Sequence, residues 1–172
     1  SRLVETDSQE LAAFRAVFGD ETIDYAQALQ DHYAANGTKI WTDDYVSYYA
    51  TAHPWEDFAE TFAHYLHMVD TLATVGGFDM RMAPLPGPES HPGAKIDFDP
   101  YTASTDELAA QMAPYSFALN AVNRSMGQPD LYPFHLSAAI TGKIDYVNRL
   151  IARAAGRNET EQPWLEQAVR SR

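Results

Sequence analysis

Residues 53–70 read HPWEDFAETFAHYLHMVD, and the way this stretch is phased on a helix decides both the fold and the candidate site. Three of the chain's six histidines and four of its acidic residues fall within these positions, beside Trp55, Phe58, Phe62 and Leu66. Pro54 suits a first helical position, where its missing N–H has no intrahelical partner to lose. No further glycine or proline intervenes before Gly76-Gly77, so the stretch predicts one helix from Pro54 to about Thr74. At about 100° per residue, Trp55, Phe58, Ala59, Phe62, Leu66 and Val69 share a narrow sector, the expected core contact. Glu56, Glu60, His64 and His67 lie on its flank. Glu60 and His64 are four residues apart and His64 and His67 three, so neighbouring side chains can meet. Carboxylate and imidazole are both zinc donors, although acidic and histidine side chains are also ordinary on a solvated helix flank. Catalytic zinc takes three protein ligands, so this helix by itself completes no site.

Outward from this segment the chain reads as helices parted by turn signals. Asp7 and Ser8 precede QELAAFRAVF, with Leu11, Phe14, Val17 and Phe18 at helical spacing and Gly19 closing the run. ETIDYAQALQDHYAANG (21–37) places Ile23, Ala26, Leu29 and Tyr33 on one expected face and stops at Asn36-Gly37, a left-handed signal. DDYVSYYATA (43–52) reads as a shorter aromatic helix. Residues 78–103 are proline-rich and irregular, yet too apolar for a plain linker, and are expected to wrap the surface. Ser104 and Glu107 form a capping box for a helix to about Ala113. Pro114 is expected to begin another, to about Gly127. Ser137 caps a last helix closed by Gly156, and residues 157–172 read as a tail or short helix. No strand is convincing. The expected class is all-α, one domain over 1–156.

Composition narrows the function classes. With no cysteine, thiolate zinc sites, disulfides and cysteine nucleophiles are excluded within these residues, and any metal rests on His, Asp and Glu. The net charge of −12 argues against nucleic acid or an anionic membrane as partner. No apolar run approaches the roughly 20 residues that span a bilayer, and no signal peptide is visible, so a cytoplasmic location is expected. There is no Gly-x-Ser-x-Gly, Walker loop or Gly-x-Gly-x-x-Gly to support serine-nucleophile or nucleotide chemistry.

The segment HPWEDFAETFAHYLH resembles the third-ligand helix of gluzincin-type zincin metallopeptidases. More specifically, FRAVFGDETIDYAQALQDHY (14–33), ATAHPWEDFAETFAHYLHMVDTL (50–72) and DLYPFHLSAAITGKIDYVNRLI (130–151) together resemble a bacterial family of zinc-binding metallopeptidases that joins a zinc ribbon to a zincin-like domain. That resemblance implies zinc as cofactor, a peptide or protein substrate, and hydrolysis by zinc-activated water. In gluzincins a His-Glu-x-x-His helix supplies two ligands and the general base, and the Glu of a Phe-Ala-Glu stretch supplies the third ligand. The matching position here is Glu60, in DFAE. The resemblance further implies His53, seven residues earlier, as a hydrogen-bond donor to the oxyanion. Asp57 is implied as a group holding a ligand histidine in its tautomer.

No His-Glu-x-x-His occurs in these residues; in the family it lies shortly before the element matched by Arg2-Leu3-Val4. The expectation is therefore a zincin-like domain beginning just after its catalytic helix, inactive alone, and prone to self-association through the groove that helix would fill. His64, His67 and Tyr49 are further candidates, Tyr49 because it sits one turn from His53. His32 is expected at the surface or as a cap, while His91 and His135 carry weaker cases. The rival reading is a non-catalytic helical module that binds a protein partner through the proline-rich wrap or the aromatic surface.

Overall fold

Local signals set most of the helix boundaries. In the computed structural model, which describes residues 4, 7–37, 41–83, 93–131 and 136–156, the helices are α1 (Ser8–Phe18), α2 (Tyr25–Ala34), α3 (Pro54–Gly77), α4 (Thr105–Ser125) and α5 (Ala138–Ala154). A short 3-10 helix spans Tyr49–Thr51, and Met82 and Ala94 form an isolated antiparallel bridge. Among the described residues there is no strand, and the fold is all-α. The Asp7 carboxylate caps α1 by accepting from the Gln9 and Glu10 amides. Ser104 and Glu107 form the reciprocal capping box of α4, and Ser137 Oγ accepts from the Ile140 amide at the start of α5. Asn36 and Gly37 both take positive φ after α2, as their sequence suggests.

Three boundaries differ from expectation. Residues 43–52 form turns and the short 3-10 helix, tied by side-chain bonds such as Ser47 Oγ accepting from the Ala50 amide. α3 continues through Gly76 and Gly77; Gly76 lies so close to Ile96 that a β-carbon there would meet its Cγ2 at 3.2 Å. Pro114 does not open a new helix: it sits inside α4. The proline removes one backbone bond, but Leu108 and Met112 before it and Tyr115 after it stay buried in a common core, and the Tyr115 hydroxyl donates to Met80 O at 2.7 Å.

α3 runs through the centre, packed on α5 and α4 and crossed by α1. Its buried residues are Asp57, Thr61, Tyr65, Met68, Val69, Leu72 and Val75. Ala59 is exposed and Leu66 is 40% exposed, so the buried stripe is turned roughly a quarter of a turn from the sector of Trp55, Phe58 and Leu66. Trp55, Phe58 and Phe62 are half-buried at its edge, where Trp55 and Phe58 stack on Phe14 of α1 with ring centroids 4.6 and 5.7 Å away. The core joins these to Ile140, Ile144, Val147 and Leu150 of α5, each such side chain contributing roughly 1.5–3 kcal/mol on burial.

The ends of the irregular stretch do wrap the core: Met82 and Ala94 exchange backbone bonds of 2.9 and 3.0 Å, and Ile96 and Phe98 pack against it. Residues 84–92 and 157–172, with His91 and His135, lie outside the described residues.

Candidate active site

α3 presents its other side outward. Ala59, Ala63, Leu66, Asp70, Thr74 and Gly77 are exposed along it, with Glu56 and Glu60 half-buried at its edge. The Glu60 carboxylate lies one turn from His64, with which it interacts electrostatically, and the His64 imidazole also hydrogen-bonds the Glu60 backbone. Burial pushes the His64 imidazole below its ordinary value, with Glu60 pulling in the opposite direction. His67 is exposed one turn further, where it lines a shallow cleft of about 490 Å³ with Asp70, Thr71, Thr74, Phe78 and Leu119.

The first turn of α3 is organised around His53. It is 3% exposed and is the helix N-cap, Nδ1 accepting from the Trp55 amide at 3.1 Å. That contact makes Nε2 the protonated nitrogen, and Nε2 lies 3.2 Å from Ile23 O, to which it donates. Both ring nitrogens thus have structural partners, and contact with a substrate oxygen would require releasing one of them. Tyr25 packs against the His53 ring with centroids 5.0 Å apart, and its hydroxyl donates to Glu56 Oε1. This hydrogen bond, with some burial, pushes the Tyr25 phenol up to about 12. Tyr49 is half-buried beside the same carboxylate, and its phenol is raised by burial first and by Glu56 second.

Asp57 faces inward. It is 1% exposed, with Oδ2 at 2.6 Å from Lys143 Nζ and Oδ1 at 3.4 Å from Thr61 Oγ1. Burial pushes its carboxyl up to about 6 against the pull of Lys143, so at neutral pH the two stand as an ion pair. Lys143 also donates to Asp44 O at 2.6 Å and lies 4.0 Å from the centre of the Tyr45 ring. One ammonium thereby joins α5, α3 and the 41–48 turn. Lys143 was not singled out in the sequence because its partner is 86 positions away.

His32 is not at the surface. It is 2% exposed, stacked on Tyr48 at 4.4 Å, with Nδ1 3.2 Å from Thr51 Oγ1. Conversely Ile23 and Tyr33, expected on the inner face of α2, are 46% and 66% exposed. The aromatic run is therefore mostly structural: Tyr48 holds His32, Tyr45 lies under Lys143 and Trp55 packs on Phe14.

Glu60 is a half-buried carboxylate set between exposed alanines, one turn from the His64 imidazole, and carboxylate and imidazole are both donor types for zinc. Catalytic zinc needs three protein ligands, and a carboxylate is one of the donor types it takes. Among the described residues no three His, Asp or Glu side chains converge to hold a metal ion.

A helical domain with one such carboxylate on an open helix face accords with the family model that matches residues 1–150, described as "Putative zinc-binding metallo-peptidase". The chain belongs to this family. It is 40% identical over 156 residues to uncharacterised proteins of Mycobacterium bovis and Mycobacterium tuberculosis, an alignment covering 90% of this chain and 43% of theirs. The chain thus spans less than half the length of these relatives. No solved structure matches it. Among the described residues, no helix is long and apolar enough to cross a membrane.

Proposed function

We propose that these residues are the part of a zinc-dependent, gluzincin-type peptidase that provides the third metal ligand, Glu60, and the helical floor of the active site. The observation that carries this reading is the half-buried Glu60 carboxylate, one turn from His64, on a helix face where Ala59, Ala63 and Leu66 are exposed. Two histidine ligands and a general base would come from a His-Glu-x-x-His helix outside this sequence, and a zinc ribbon would lie outside it too. The relatives, more than twice as long as the matched region, leave room for such elements. The substrate would be a peptide or protein, and the site of action the cytoplasm. Zinc's contribution would be to activate water.

The test is peptide hydrolysis by the protein expressed from its natural start codon, with and without a chelator, beside Glu60→Gln. Activity abolished by the chelator and by the substitution supports the reading; activity indifferent to both contradicts it. The 172 residues alone should be inactive, and metal-dependent proteolysis by them would overturn that part of the proposal.

A further inference from the structure

We infer that Glu56 and the phenols of Tyr25, Tyr33 and Tyr49 form a binding site for a guanidinium group, such as an arginine side chain carries. The site lies at the first turn of α3 and does not depend on the reading of Glu60. Glu56 is a half-buried carboxylate whose hydrogen bond comes from a neutral phenol, that of Tyr25. Every described Lys and Arg side chain is paired with some other carboxylate, so among the described residues no lysine or arginine serves Glu56. A carboxylate drawn partly out of water favours a cationic donor, since charge-assisted hydrogen bonds are about twice as strong as neutral ones.

Three aromatic rings reach this charge from two other elements. Tyr25 opens α2, its ring packed edge-on against His53 with centroids 5.0 Å apart. Tyr33, in the last turn of α2, and Tyr49, in the 3-10 helix, both meet the buried His32 ring edge-on, at 5.4 and 5.8 Å. Tyr49 lies near enough to Glu56 and Tyr33 for both to act on its phenol. Tyr33 is 66% exposed and Tyr25 45%, so these rings are open to a ligand and not spent on the core. Ring faces carry negative potential and attract a cation. Guanidinium, planar and weakly hydrated, stacks on a ring while donating to a carboxylate; ammonium lacks that flat face. His53 does not compete for Glu56, because its proton goes to Ile23 O. The competing account is that the Tyr25–Glu56 bond only ties the 21–25 turn to α3.

The experiment uses protein expressed from its natural start codon, with acetyl-arginine amide as probe and acetyl-citrulline amide, its neutral isostere, as control. Affinity is read by saturation-transfer NMR with and without a chelator, and the fold of each variant is checked by circular dichroism. Wild type should bind the arginine probe roughly tenfold more tightly than the citrulline one, equally in both conditions. Glu56→Gln should lower that affinity roughly tenfold, and Tyr33→Leu, at an exposed position where the fold has little to lose, roughly two- to fivefold. Asp106→Asn, which removes the same charge at the start of α4, should leave it unchanged. Methylguanidine distinguishes the sources: equal affinity points to a free guanidine and weaker binding to an arginine side chain, and either supports the site. Equal binding of the arginine and citrulline probes, or wild-type affinity in both Glu56→Gln and Tyr33→Leu, would overturn the inference. Binding abolished by the chelator would overturn it too, and leave the zinc reading standing.

Discussion

Glu56 accepts a hydrogen bond from the Tyr25 hydroxyl 31 positions away, and this contact has a measurable signature. The phenol is raised from 10.0 to about 12, first by that hydrogen bond and then by burial. A folded value above the unfolded one means that the fold holds the proton more tightly. The associated stability is present below pH 10.0 and disappears as pH rises through about 12. In a spectroscopic titration of tyrosinate, Glu56→Gln should move one phenol back towards its ordinary value, and Tyr25→Phe should delete that late component. An unchanged titration in both variants would contradict the contact. Asp57 is the other residue whose chemistry can be isolated. Asp57→Asn leaves the Lys143 ammonium buried beside a neutral amide, and should cost roughly 3–5 kcal/mol in urea unfolding. The pair Asp57→Asn with Lys143→Met should recover much of that loss; an Asp57→Asn midpoint equal to wild type would refute the buried pair.

At the scale of elements, α3 rests on its cap. His53→Ala removes both the Nδ1 bond to the Trp55 amide and the Nε2 bond to Ile23 O, and should lower stability by about 1–2 kcal/mol. His53→Asn keeps a capping acceptor and should recover part of the loss, while no loss in either variant would show the cap to be idle. Such boundaries are the most legible part of this sequence, because Asp7, Ser104 with Glu107, Ser137 and Asn36-Gly37 act on backbone within a few residues of themselves. The phase of α3 was not legible. Hydrophobicity centres the stripe on Trp55 and Leu66, but the buried face runs through Asp57 and Thr61. These polar residues are acceptable inside because Lys143 meets Asp57 there and Thr61 bonds to it. A pairing across 86 positions leaves no mark in local periodicity. The helical continuation through Pro114 and the burial of His32 escaped for the same reason: distant packing outweighed a local signal.

Across the whole molecule, the outward face of α3 is a line of small and apolar groups, Ala59, Ala63 and Leu66, between two carboxylates and the cleft at His67. The 172 residues alone are predicted to self-associate through it, and Ala63→Arg should return them to monomer in sedimentation velocity. A wild-type chain that stays monomeric at high concentration would count against an open face. The candidate site was legible as far as Glu60 and its flank, whereas the Tyr25 bond to Glu56 on the same helix spans 31 positions and arises only through the fold. Zinc stoichiometry tests that centre most directly. Elemental mass spectrometry would be run on the protein expressed from its natural start codon and on its Glu60→Ala variant, with any zinc held elsewhere common to both. The account predicts one zinc more in the wild type than in the variant. Equal zinc in the two would make Glu60 part of a solvated helix flank, and the metallopeptidase reading of this site would fall with it.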